Sequence, residues 1–245
     1  MGQIALFGGG VQMMKSSRVI LSCLISIVLA TAASATWVPL TGDPVSLSSL
    51  QNGSLVFGDK KLSEIELFGF GTGGAIGPNV DSVFVQGGWD PCSGDHGLRF
   101  LLSWNAFSGQ TVNANLKFKI SVLPGYDDYF IKDVAMDITG VSATGSGGVN
   151  VGETVWDAPY RGGNVIASLS CSKQDGDNGA NLSAYAEFSP LKEIWIYSKD
   201  ISITGGTGGS AHLSEFYQFY SQVPEPATIT LLGFAGAIML RKRRA

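Results

Sequence analysis

The stretch Asn115-Leu116-Lys117-Phe118-Lys119-Ile120-Ser121-Val122-Leu123 alternates apolar and polar residues. Leu116, Phe118, Ile120 and Val122 fall on one face, and Lys117, Lys119 and Ser121 on the other. Side chains repeat every two residues only in a strand, and a strand with one wet face belongs to an antiparallel sheet packed on one side. The same alternation spreads outward in both directions. Glu64 and Glu66 oppose Ile65 and Leu67 in Leu62 to Phe68. Val165, Ala167, Leu169 and Cys171 share a face, as do Leu182, Ala184, Ala186 and Phe188. Phe130, Val134, Met136 and Ile138 share another, with Lys132 as the odd member. Less regular strands are expected at Ser82 to Gln86, Leu98 to Trp104, Gly152 to Trp156, Glu193 to Ile203 and Ala211 to Tyr220.

Turn signals separate these runs: Gly71 to Gly77, Pro124-Gly125, Gly145 to Gly148, Asp175 to Gly179 and Gly205 to Gly209. No amphipathic helix of about 12 residues stands out, the length at which helices begin to hold. The expected fold is all-β, a single antiparallel β-sandwich, with a jelly-roll-like winding as second choice. No repeat of fixed period and no internal boundary interrupts it.

The two ends differ from this body. Lys15 and Arg18 precede an apolar run, Val19 to Ala30, and then Thr31-Ala32-Ala33-Ser34-Ala35. A positive region, a short apolar stretch and small residues at Ala33 and Ala35 read as a signal peptide cut after Ala35 by a signal peptidase following Sec translocation. Met13 or Met14 is as good a start as Met1. At the other end come Val223-Pro224-Glu225-Pro226, an uncharged run of 14 residues from Ala227 to Leu240, and Arg241-Lys242-Arg243-Arg244. As a helix the run is about 21 Å long, against a hydrocarbon core of about 30 Å. It spans only with help from its flanks, and the four cations favour the cytoplasmic side. The division is therefore residues 1–35 as signal, 36–222 as body and 223–245 as tail.

This tail resembles the PEP-CTERM sorting signal of exported bacterial proteins: a Pro-Glu-Pro motif, a short apolar segment and a terminal basic cluster, in that order. The resemblance implies a Gram-negative source. It implies an exosortase that removes the tail near Pro224 to Pro226 after transient anchoring in the inner membrane. It further implies a place at the cell surface or in an exopolysaccharide, biofilm or floc matrix. The body is also similar to PEP-CTERM proteins of unknown activity, in Trp37-Val38-Pro39-Leu40, Ser189 to Lys192 and Lys199-Asp200-Ile201. No catalytic residue and no cofactor comes with the resemblance.

Composition limits the rest. Charged residues make up 15% of the chain, against about 25% in globular proteins. The whole chain carries −4. Residues 36–222 hold 10 Lys+Arg and 19 Asp+Glu, giving −9. An acidic body of this kind does not seek nucleic acid. Cys92 and Cys171 form an even pair in an oxidising compartment, so a disulfide is expected against the alternative of two free thiols. It would close a loop of about 80 residues and contribute about 4 kcal/mol. His96 and His212 are not accompanied by a Gly-x-Ser-x-Gly elbow, and no metal set has paired spacing. Asp175 to Asn181 partly resembles a calcium loop. Ala180 and Ala186 stand where the sixth-position glycine and twelfth-position glutamate belong, so a turn is the simpler reading. Five tryptophans lie in the body, and Trp89 and Trp156, both near turns, are the candidates for stacking on sugar rings. Two roles compete: a non-enzymatic structural or interaction role linked to extracellular polysaccharide, and a secreted carbohydrate-binding module.

Overall fold

The strand read from Lys117 and Phe118 runs from Thr111 to Val122 inside a six-stranded sheet, with Val112, Ala114, Leu116, Phe118 and Ile120 buried and the residues between them half-buried. The structure is a computed structural model that describes residues 37–159, 162–176 and 180–224. In chain order its elements are β1 (Val38–Pro39), β2 (Val45–Ser46), a helical turn α1 (Leu47–Leu50), β3 (Ser54–Phe57), β4 (Lys60–Thr72), β5 (Phe84–Trp89), β6 (His96–Phe107), β7 (Thr111–Val122), β8 (Tyr129–Thr144), β9 (Gly148–Trp156), β10 (Val165–Gln174), β11 (Ser183–Leu191), β12 (Glu193–Thr204), β13 (Ser210–Tyr220) and β14 (Gln222–Pro224).

The strands form two antiparallel sheets. The first has the order β1-β5-β6-β13-β8-β11, with β2 on β5 and β14 on β8; the second has β10-β9-β12-β7-β4-β3. β9 pairs with β10, β8 with β11, β7 with β12 and β6 with β13. Each pair encloses the previous one in sequence, and successive pairs alternate between the sheets. Four nested antiparallel pairs wound over two sheets make a jelly roll. The expected β-sandwich is present, and its winding is the one placed second.

The inner faces meet in one apolar core. Phe100 on β6 stacks on Phe216 of β13 with ring centroids 4.7 Å apart, and reaches Phe118 of the opposite sheet at 5.7 Å. Trp104 is buried in this core. Trp195, equally buried, lies outside it on the outer face of the second sheet.

Two expectations need correction. On β8 the buried residues are Ile131 and Asp133, then Val134, Met136 and Ile138. The phase slips at Asp133, so Ile131 takes the inner place expected of Phe130. A lysine at position 132 of an apolar face was the mark of that slip. Buried Asp133 accepts from the Ser221 backbone N–H at 2.9 Å, from the Ser221 hydroxyl and from Tyr185 at 3.0 Å. The second correction is the disulfide: Cys92 and Cys171 are both free thiols. Cys171 points into the core from β10, its thiol 3.5 Å from the Met136 carbonyl. Cys92 sits in the exposed turn between β5 and β6, held by Asp90 Oδ1 on its N–H at 2.9 Å. A disulfide needs Cβ atoms about 3.8 Å apart, and these two side chains leave different sheets toward different surroundings.

Of the residues expected to form the end signals, Val223 and Pro224 continue into β14, opposite Phe130 and Tyr129 of β8. Ala33, Ala35, Glu225, Pro226, the apolar run 227–240 and the cluster Arg241 to Arg244 lie outside the described residues. Among those described, no helix is long and apolar enough to cross a membrane.

Candidate functional site

The outer face of the second sheet is built in rows set by register. Lys119 pairs with Trp195, and Trp195 with Trp156. Two residues along, Glu66 pairs with Lys117, and Ser198 with Thr154. The next row runs Phe68, Asn115, Asp200, Gly152. Between the first two rows β12 carries a bulge: Ile196 faces Val155 and Ser198 faces Thr154, so Tyr197 is the extra residue. A bulge inserts one residue and re-aims its neighbours. Here both Tyr197 and Ser198 are turned outward, while Ile196 before them and Lys199 after them stay inside. β4 has a matching irregularity between Ser63 and Glu66, with Glu64 at φ 55°.

The bulge opens a groove of about 370 Å³ lined by Asn115, Lys117, Thr154, Trp156, Tyr197 and Ser198. Trp156 and Tyr197 meet edge to face, centroids 6.5 Å apart and planes at 80°. Gly152 removes a side chain from the next row, leaving that side of the groove open. Asn115 Nδ2 donates to Asp200 Oδ1 at 2.6 Å, and the Ser198 hydroxyl donates to Asp200 Oδ2. The Asn115 Oδ1 is buried and has no partner among the described residues. Lys117 lies 3.5 Å from Glu66 and 5.0 Å over the Phe68 ring, and Lys119 lies 2.7 Å from Glu193 and 4.6 Å over Trp195. The groove thus combines two ring faces with fixed acceptors and a cation, the composition of a site for a polar, ring-shaped ligand.

The residues singled out in the sequence are spread differently. Trp156 forms part of the groove. Trp89 ends β5 in the first sheet, opposite Val38 and His96. Trp195 is covered by Lys119, so no flat row of exposed tryptophans forms. Both histidines belong to the first sheet. His212 Nδ1 is 2.8 Å from Asn105 Oδ1. His96 Nδ1 is 2.8 Å from buried Asp59, which also pairs with buried Lys60 at 3.1 Å. Burial alone would push the Asp59 carboxyl up, but His96 and Lys60 outweigh it and hold it below the usual range. Burial lowers Lys60 against the pull of Asp59. Gly58, at φ 59°, makes the turn that brings Asp59 to His96; a Cβ there would lie 2.5 Å from the His96 ring.

Neither histidine reaches the Ser198–Asp200 pair, so the groove holds no serine-histidine-carboxylate set. In the calcium-like stretch, residues 177–179 lie outside the described residues. Asn181 spends its amide on the Ser170 carbonyl at 2.8 Å. Among the described residues no group of three His, Cys, Asp or Glu is arranged to hold a metal ion. Tyr197 was not marked by any motif, and Asn115, Lys117 and Asp200 entered only as parts of a strand pattern or of the family resemblance, not as site residues. For Tyr197 and Asp200 the one signal was the change of phase in β12, from Ile194 and Ile196 to Ile201 and Ile203; Asn115 and Lys117, on β7, had none.

No family model matches the chain, and no curated protein matches it. Among solved structures it is similar to the enzymatically active domain of tailspike protein 4 of bacteriophage CBA120. The identity is 14%, over 63% of this chain and 19% of that one, with a TM-score of 0.26. This chain therefore spans less than a fifth of that solved chain, and at that score the likeness assigns neither ligand nor activity.

Proposed function

We propose that the chain is an exported surface or matrix protein whose jelly-roll body binds polysaccharide through the groove beside the β12 bulge. The observation that carries the binding reading is the meeting of Trp156 and Tyr197 with Asn115, Ser198 and Asp200 in one groove. A sugar ring has an apolar face of C–H groups and a rim of hydroxyls. The face suits an aromatic ring, and paired hydroxyls suit a carboxamide or carboxylate held in place by neighbours. Asp200 and Asn115 are held in this way. Rings at 80° suit a single chain that turns across the sheet rather than a flat crystalline surface. The groove favours this over a purely structural body. Export rests on the N-terminal signal and the Pro224-Glu225-Pro226 tail, with Sec, signal peptidase and exosortase as the processing partners.

The test is affinity electrophoresis of the exported protein through gels containing soluble polysaccharides, neutral and uronic-acid-containing. Retardation is expected in at least one gel. Trp156→Ala or Tyr197→Ala should weaken it about tenfold, about 1.4 kcal/mol, with circular dichroism unchanged. Equal mobility of parent and variants in every gel removes the binding half and leaves display alone.

A further inference from the structure

Deep between the sheets, far from the apolar norm of the core, four polar or soft side chains converge. Lys199 on β12 and Glu153 on β9 are direct cross-strand partners in the second sheet. Gln218 on β13 and Met136 on β8 are direct partners in the first. All four are buried, and the side chains of Lys199 and Glu153 are 0% exposed. Lys199 Nζ lies 2.6 Å from Gln218 Oε1, 2.6 Å from Glu153 Oε2 and 3.0 Å from Met136 Sδ. Gln218 Nε2 donates to Glu153 Oε1 at 2.9 Å. The Phe216 ring lies 4.7 Å from the ammonium.

We propose that Lys199 and Gln218 join in an intramolecular isopeptide bond, with Glu153 as the proton shuttle, so that the two sheets are covalently stapled. The nucleophile, the electrophile and the shuttle are each in place. The Gln218 carbonyl carbon is one C=O bond, about 1.2 Å, beyond the oxygen that Lys199 already touches. One carboxyl bridges the attacking nitrogen and the leaving nitrogen, one oxygen to each. Burial favours the neutral amine, and pushes the Lys199 ammonium down from its ordinary range, against the opposing pull of Glu153.

The step balances without any external reagent. Lys199 gives a proton to Glu153, and its free amine adds to Gln218 Cδ, forming the C–N bond. The carboxyl passes a proton to Nε2 and accepts one from the new C–N nitrogen. The C–Nε2 bond breaks and ammonia leaves. A secondary amide remains beside a neutral Glu153, so two opposite buried charges have disappeared from a dry site. That removal of buried charge, with loss of ammonia to solvent, supplies the driving force. The proposal is independent of the groove: Lys199 points inward while its neighbours Tyr197 and Ser198 point out.

Intact mass of the full chain tests it. The expected mass is lower than that of the sequence by one ammonia. Trypsin should leave the chain uncut after Lys199, and chymotrypsin should release a branched peptide joining Lys199 to Gln218. Lys199→Arg should restore the mass of the sequence, and Glu153→Gln should slow bond formation at least about 100-fold. The parent protein carries the decision even where a variant does not fold. A parent at the unmodified mass overturns the proposal. So does loss of one water with Lys199 joined to Glu153, or loss of ammonia mapped to Asn52-Gly53 or Asn178-Gly179.

Discussion

At Cys171 a single side chain reports which way its strand faces. Burial pushes the thiol up to about 11, opposed by nearby Lys199. At pH 8 only about one in a thousand such thiols is thiolate, the form that reacts. Cys92 stands exposed in its turn. Iodoacetamide at pH 8 should therefore add one label, on Cys92, within minutes. The second should appear only in denaturant, or as pH is raised toward 11. Absence of label in denaturant without reductant would restore the disulfide. The alternation had already put Cys171 with Leu169 on an apolar face. Counting cysteines by compartment pointed the other way, because a pair count contains no direction. Trp195 shows the same limit: its strand position is legible, but its cover by Lys119 on one side comes from a different strand.

At the level of one element, the β12 bulge decides the site. Removing Tyr197 takes out the extra residue and leaves Ile194, Ile196, Lys199, Ile201 and Ile203 in one uninterrupted inward series. Removing Asp200, one turn of the pleat further on, sends Ile201 and Ile203 to the outer face. The Tyr197 deletion should shift the melting temperature by no more than about 5 °C while abolishing polysaccharide retardation. The Asp200 deletion forfeits two buried isoleucines at about 1.5–3 kcal/mol each, which lowers the melting temperature by about 6–24 °C at about 2–4 °C per kcal/mol for a body of this size. Thermal melts followed by circular dichroism separate the two; equal losses would mean that the bulge is part of the folding pattern rather than an insertion for the site. The bulge was present in the sequence as a change of isoleucine parity, but what it faces was not.

For the whole molecule, the proposed export and the fold of the body are separate questions. The sandwich reaches as far as β14, so its last strand contains Val223 and Pro224, the first residues of the expected sorting motif. Cutting near that point would release a body complete from Trp37 through β13. Intact mass of the protein from cells and medium, with and without an exosortase, should show a released form ending near Pro224 that depends on the enzyme. Terminal arginines retained in both strains would mean a plain membrane anchor. In that case the matrix role falls, while the groove and the buried Lys199 site remain to be judged by their own experiments.

The strands, the turns between them and the acidic charge of the body are local properties, set by period, glycine placement and charge along the chain. Those were determined by the sequence by itself. Only the tertiary structure decided that β9/β10, β8/β11, β7/β12 and β6/β13 nest into a jelly roll. It alone decided that Cys92 and Cys171 stay apart, and that Lys199, Glu153 and Gln218 meet in the core. The reason is distance along the chain: Glu153 and Lys199 become neighbours through β9–β12 register, and Gln218 joins them across the gap between sheets. Periodicity states which face a residue occupies; it does not state which residue occupies the facing one.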